Sequence, residues 1–186
     1  MKRLLIGSVA VVVAFVLGFW GSSQLPEDAR GFELTRSDGV QINSFEALKG
    51  EPYLITFGYT YCPDVCPTTL AYLAGVLQAY QSGAGEEVQS IFVSVDPERD
   101  TPDKLGQYVE YFDSSIWGLT GTEAQLEQVK QTYSIFFEKV QGKDPDNYLI
   151  DHSAGILVMD SKHRLSGVIR EGDSFDQAIA TIENAQ

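Results

Sequence analysis

Two buried-strand runs, the continuously apolar YLITF at Tyr53–Phe57 and the largely apolar VQSIFVSV at Val88–Val95, constrain this chain more than any other feature. An unbroken run rich in β-branched and aromatic residues has no polar face to give to water. Each therefore reads as a strand buried on both faces, which needs a layer above it and a layer below. Each run is followed by apolar residues at helical spacing: Leu70, Leu73, Val76, Leu77 and Tyr80 after the first, and Leu105, Tyr108, Val109 and Phe112 after the second. Strands of this kind alternating with helices predict a three-layer α/β domain.

The remaining segments fill in that plan. Phe32–Leu34 and Val40–Ile42 alternate around Asp38-Gly39, the pattern of a hairpin. Ser44 is positioned to cap a short helical turn closed by Gly50, and Gly83 to Gly85 to close the first long helix. Thr101 followed by Pro102 reads as N-cap and first helical residue. Trp117–Gly121 reads as a short strand, and Leu126, Val129 and Tyr133 share one face of the helix after it. Ile135–Val140 and Tyr148–Ile150 flank GKDPDN as an inserted hairpin. Ile156–Met159, the turn DSKHR and a partner strand through Ile169 place two adjacent strands late in the chain, so the central sheet should be mixed. Ser174 caps a closing helix, Phe175–Ile182.

Composition matters most at the N-terminus. Lys2 and Arg3 precede 17 uncharged residues, Leu4–Trp20. That length suits a membrane anchor, with a cleaved export signal as the alternative. The positive-inside rule then places the rest outside the cytoplasm. Sequence alone thus divides the chain into an anchor at 1–20, a polar tether at 21–31 and a globular domain at 32–186. The setting expected is a bacterial inner membrane, spanned once, with the domain in the periplasm. Without Lys2 and Arg3 the remainder carries 11 basic against 26 acidic residues, a formal net of −15. Such a surface repels nucleic acid and anionic lipid.

The two cysteines, Cys62 and Cys66, lie between the first buried strand and its helix. A pair there can be a disulfide, a redox couple or two ligands of a soft metal. A disulfide closing so short a loop constrains little chain entropy. The adjacent helix N-terminus should lower the pKa of at least one thiol. Of the two histidines, His163 sits between Lys162 and Arg164 in a turn and reads as solvated. His152 precedes a buried strand and reads either as a capping or core residue or as a loop residue pointing back over the sheet. Two thiolates and one imidazole would form a three-coordinate set suited to Cu(I), or to Cu(II) with a weak added ligand, whereas Zn(II) would want a fourth ligand. Met159 lies inside a strand pattern and reads as core. Asp64, between the cysteines, reads as a solvated turn residue.

TFGYTYCPDVCPTTL, SVDPERDTP and DHSAGILVMD, in this order and spacing, resemble the Sco/SenC family of membrane-anchored copper chaperones that assemble the dinuclear copper centre of cytochrome c oxidase. The resemblance spans nearly all of the domain. It implies a thioredoxin-like fold with an inserted hairpin, and a copper site made by Cys62, Cys66 and His152. It further implies Asp96 near the site, supporting the ligands without binding the metal, and Asp151 beside the ligand histidine. The partners implied are cytochrome c oxidase subunit II, as recipient of copper or of thiol reduction, and another periplasmic copper carrier. The competing reading is a thiol-disulfide oxidoreductase or peroxidase using Cys62 and Cys66 alone. Thioredoxins carry a proline before the strand facing their cysteines, and HSAGI has none.

Overall fold

The computed structural model describes residues 29–84, 86–140 and 148–186. The expected anchor at 1–20, the tether up to residue 28, Gly85 and the 141–147 connection of the inserted hairpin lie outside the described residues. Among the described residues no helix is long and apolar enough to cross a membrane.

Nine strands and five helices follow one another in the described chain. The strands are β1 (Glu33–Arg36), β2 (Gln41–Asn43), β3 (Tyr53–Gly58), β4 (Gln89–Ser94), β5 (Trp117–Thr120), β6 (Phe137–Val140), β7 (Leu149–His152), β8 (Ile156–Met159) and β9 (Leu165–Ile169). The helices are α1 (Ser44–Ala47) after β2, α2 (Val65–Ala84) after β3, α3 (Pro102–Phe112) after β4, α4 (Glu123–Tyr133) after β5 and α5 (Phe175–Glu183) after β9. A seven-stranded sheet runs β2-β1-β5-β4-β3-β8-β9, and β6 and β7 form a separate two-stranded sheet. β3, β4 and β5 are parallel, while β1 joins β5, and β8 joins β3, in antiparallel register. The mixed sheet follows from the connections. Helical crossovers join the parallel strands, and short turns join the hairpins at the two edges.

All six residues of β3 are buried, and alternate side chains feed two cores. On one face, Leu54 and Phe92 meet Leu70, Leu73, Val76 and Leu77 of α2, Leu105 and Val109 of α3, and Ala178 and Ile182 of α5. The β3-α2-β4 and β4-α3-β5 crossovers step in the same direction along the sheet, and a common handedness puts their helices on the same side. On the other face, Ile55, Phe57, Ile91 and Val93 meet Leu126, Val129 and Tyr133 of α4 and Ile150 of the hairpin. This is the thioredoxin-like, three-layer arrangement that the resemblance implies. Met159 is fully buried, as its strand pattern predicts.

Two local expectations are corrected. Asn43, not Ser44, caps α1: its side chain accepts from the Phe45 amide at 3.1 Å, while Ser44 is buried and accepts from the Phe32 amide at 2.9 Å. α2 ends at Ala84, inside the Gly83–Gly85 stretch expected to close it. His163 is buried rather than solvated. It adopts φ of 59°, and its ring lies 4.5 Å from that of Phe45 and 5.3 Å from that of Tyr53. Its Nδ1 is 3.3 Å from the Tyr53 hydroxyl, and its carbonyl accepts from the Arg30 amide at 2.7 Å. Charged sequence neighbours suggest a surface turn, but the left-handed backbone folds this one side chain inward against the start of β3.

Candidate metal centre

β3 and β4 are parallel, so both end at one edge of the sheet, with Gly58 paired to Ser94. Ligands in open α/β sheets collect at such an edge. From Gly58 the chain turns directly into α2, leaving Cys62 half-exposed in the loop and Cys66 buried in the first helical turn. The Cys66 amide, one of the helix's free N-terminal donors, lies 3.4 Å from Cys62 Sγ. Gly58 permits this approach, because a Cβ there would lie 2.5 Å from Cys66 Sγ.

His152 is brought in by the inserted hairpin. Sequence makes it a loop residue ahead of β8, but it is the last residue of β7 and pairs with Phe137 across the hairpin. Its Nε2 lies 3.2 Å from Cys66 Sγ. Its Nδ1 lies 3.1 Å from the carbonyl oxygen of Ser153. A carbonyl only accepts, so this contact keeps the ring proton on Nδ1 and turns the Nε2 lone pair toward sulfur. The ligand atoms of Cys62, Cys66 and His152 all lie within 4.8 Å of one another, and no other His, Cys, Asp or Glu group of three or more does so among the described residues. Both cysteines are free thiols.

The expected depression of a thiol pKa is not what Cys66 experiences. Its burial pushes the thiol up, because loss of water around the sulfur outweighs the backbone hydrogen bond at Tyr59 that favours the thiolate. A buried thiol of this kind is a poor free nucleophile and gains its thiolate form by exchanging the proton for a cation.

Around these three residues lies a shell that sequence reasoning found only in part. Asp96 is fully buried, but it accepts from Arg99 Nε at 2.5 Å and the Tyr148 hydroxyl at 2.7 Å rather than touching a cysteine or His152. Asp151 is exposed, and its side chain has no hydrogen bond or ion pair among the described residues. Asp64 is exposed, as expected of a turn residue. Asp100 was not singled out by sequence, yet it ties the cysteine loop to β4. It accepts from the Thr60 amide at 2.8 Å, the Thr60 hydroxyl at 2.6 Å and the Ser94 hydroxyl at 2.5 Å. Tyr59 was also missed. Its ring meets His152 edge-on at 5.9 Å, and its hydroxyl accepts from the Ile150 amide at 3.1 Å. The available signal was position alone: both residues flank strand ends at the edge where the cysteines lie.

The SCO1/SenC family model matches residues 22–186. The chain belongs to the SCO1/SenC family. Among curated SCO proteins, it is 37% identical over 128 residues to SCO1 homolog 1, mitochondrial, of Arabidopsis thaliana, an alignment taking in 69% of this chain and 38% of that protein. It is 37% identical over 131 residues to the SCO2-like protein of Rickettsia conorii, covering 70% of this chain and 63% of that one. The chain thus spans between about a third and two thirds of these relatives' lengths. Among solved SCO structures, Bradyrhizobium japonicum ScoI with copper bound is 39% identical, with a TM-score of 0.75 over 85% of this chain and 99% of that one.

Proposed function

We propose that this SCO1/SenC protein is a copper-binding metallochaperone that holds one copper ion, as cargo, through Cys62, Cys66 and His152. The observation that carries the reading is the convergence of two sulfurs and an imidazole nitrogen within 4.8 Å at the sheet edge. Two soft sulfurs and one nitrogen suit copper in either oxidation state, and the copper-bound Bradyrhizobium relative supports the choice of ion. Nδ1 held by a backbone carbonyl orients the imidazole as a metal-ligating histidine requires. The half-exposed Cys62 is the side from which a partner's thiols could approach.

On this reading the recipient is the dinuclear copper centre of cytochrome c oxidase subunit II, to which the protein delivers copper or whose thiols it prepares. The donor is another periplasmic copper carrier. Residues 1–20 anchor the chain in a bacterial inner membrane, residues 21–31 tether it, and residues 32–186 work in the periplasm. Asp96 supports the site through its bonds to Arg99 and Tyr148, and Asp151 stands beside the ligand histidine in sequence.

Titration of the reduced protein with copper tests this. One equivalent should bind, with thiolate charge-transfer absorption for Cu(II), and Cys62→Ser, Cys66→Ser and His152→Ala should each alter affinity and spectrum. Copper binding unchanged in His152→Ala would break the ligand set. Metal-independent activity on a disulfide or peroxide that survives His152→Ala would instead favour an oxidoreductase using Cys62 and Cys66 alone.

A further inference from the structure

His152 depends for its position on a hairpin that is a sheet of its own. Two-stranded sheets are marginal in water, so what fixes this one to the main sheet also fixes the ligand. Apolar packing of Ile150 and Phe137 against the core holds the hairpin down, but such packing is non-directional. The Lys139–Glu98 ion pair at 2.7 Å is solvent-exposed and weakly constraining.

Two directional contacts hold the hairpin independently, the Ile150 amide donating to the Tyr59 hydroxyl at 3.1 Å and Lys130 Nζ to the Phe137 carbonyl at 3.2 Å, and a larger set converges on Arg99. Its Nη1 donates to the Tyr148 carbonyl at 3.0 Å, at the entry to β7, and its guanidinium stacks 3.6 Å from the centre of the Tyr148 ring. The same group lies 4.8 Å from the ring of Tyr61, the neighbour of Cys62, and 5.7 Å from the ring of Tyr59, whose edge meets His152. Asp96 completes the arrangement, accepting from Arg99 Nε and from the Tyr148 hydroxyl together. One planar cation is thus wedged between the strand that delivers the histidine and the loop that delivers the cysteines.

We propose that Arg99 is a positioning residue that sets the separation of His152 from Cys62 and Cys66, acting through Tyr148 and Tyr59. The proposal rests on the copper-chaperone reading for its functional meaning, though not for its geometry. An ion pair kept for stability alone does not account for the arrangement. Buried pairs contribute little net stability, and Arg99 Nη2 is buried with no hydrogen-bond partner among the described residues. What Arg99 does satisfy is a stack and a carbonyl contact joining two separate elements. Lysine carries the charge but not the planar fork, so it cannot make both.

The test compares the wild type with Arg99→Met and Arg99→Lys by amide hydrogen exchange of the copper-free protein and by Cu(II) titration with electron paramagnetic resonance. In both variants the amides of β6 and β7 should exchange at least about tenfold faster while those of β3 and β4 keep their protection. Copper affinity should fall by about 10- to 100-fold, with the nitrogen contribution weakened and the thiolate absorption retained. Unchanged hairpin protection, or faster exchange spread equally over both sheets, overturns the positioning role. If the wild type takes up no copper, the chaperone reading fails, and the exchange data still decide the role of Arg99. If Arg99→Met does not fold, Arg99→Lys carries the comparison, because it retains a counter-charge for Asp96.

Discussion

Replacing Gly58 by alanine perturbs the candidate site without removing any of its ligands. The added Cβ would lie 2.5 Å from Cys66 Sγ, 2.9 Å from Phe92 Cε2 and 3.1 Å from Phe92 Cζ. Ordinary contact begins near 3.4 Å, so sulfur and backbone must separate by about 0.9 Å, against a tolerance of roughly 0.2 Å for a metal-ligand distance. Both neighbours are buried: Cys66 is 2% exposed and Phe92 1%, so neither can swing into solvent. Overpacking of this kind costs about 1–3 kcal/mol, offset by about 0.4–1 kcal/mol from the lower entropy of the unfolded chain. A net loss of about 1–2 kcal/mol should lower Tm by roughly 2–8 °C for a chain of this size. The displaced sulfur moves relative to His152 Nε2, now 3.2 Å away, so copper affinity should fall by roughly tenfold or more. Calorimetry and a competitive copper titration measure the two effects on one sample. Gly172→Ala, where a Cβ meets nothing within 4 Å, serves as the control and should change Tm little. Gly58→Ala with wild-type Tm and wild-type copper affinity would refute the argument that this glycine makes room for the Cys66 sulfur.

Further outcomes follow from the same contacts. Asp100→Asn keeps the shape of a side chain that accepts three hydrogen bonds but turns one acceptor into a donor facing Thr60 or Ser94. It should cost about 2–4 kcal/mol, read as a lower urea midpoint at constant m, and a loss under about 0.5 kcal/mol would contradict the anchoring role. Iodoacetamide should label half-exposed Cys62 well before buried Cys66, whose thiol burial pushes up. Equal rates in peptide mapping would count against that burial. Burial lowers the pKa of His163 below its ordinary 6.5, so the folded state prefers the neutral ring. The associated stability is fully present above about pH 6.5 and is lost as pH falls through the depressed folded value. The wild-type urea midpoint should therefore drop between pH 7.5 and 5.5, and His163→Gln should flatten that slope. An identical slope in the variant would remove His163 as its source.

The redox alternative depends on the same cysteines, and its attacking thiol would be half-exposed Cys62. Cys66 is buried with its thiol pKa raised, and its sulfur faces an imidazole nitrogen at 3.2 Å rather than open solvent. Cys66 therefore suits a ligand or a resolving thiol rather than an attacking one. A ligand set tolerates both, since cation binding drives off the proton and needs converging donors more than exposure.

By itself the sequence determined whatever depends on short-range regularity. The apolar runs at Tyr53–Phe57 and Val88–Val95 became β3 and β4, and Thr101 and Ser174 cap the helices they precede, though at α1 the cap fell to Asn43, one residue before the expected Ser44. The three motifs that carry the family resemblance are likewise contiguous stretches. Periodicity and capping act within a turn or two of chain, so one strand of text contains their causes. Only the tertiary structure decided what depends on segments far apart. It made His152 the end of a hairpin strand whose ring nitrogen meets a cysteine 86 positions earlier. It buried His163 despite charged neighbours, let burial raise the Cys66 thiol, and gathered Tyr59, Tyr148, Asp96 and Asp100 about Arg99 and the cysteine loop. Desolvation and convergence are properties of what packs against a residue from elsewhere in the chain, and no local pattern encodes them.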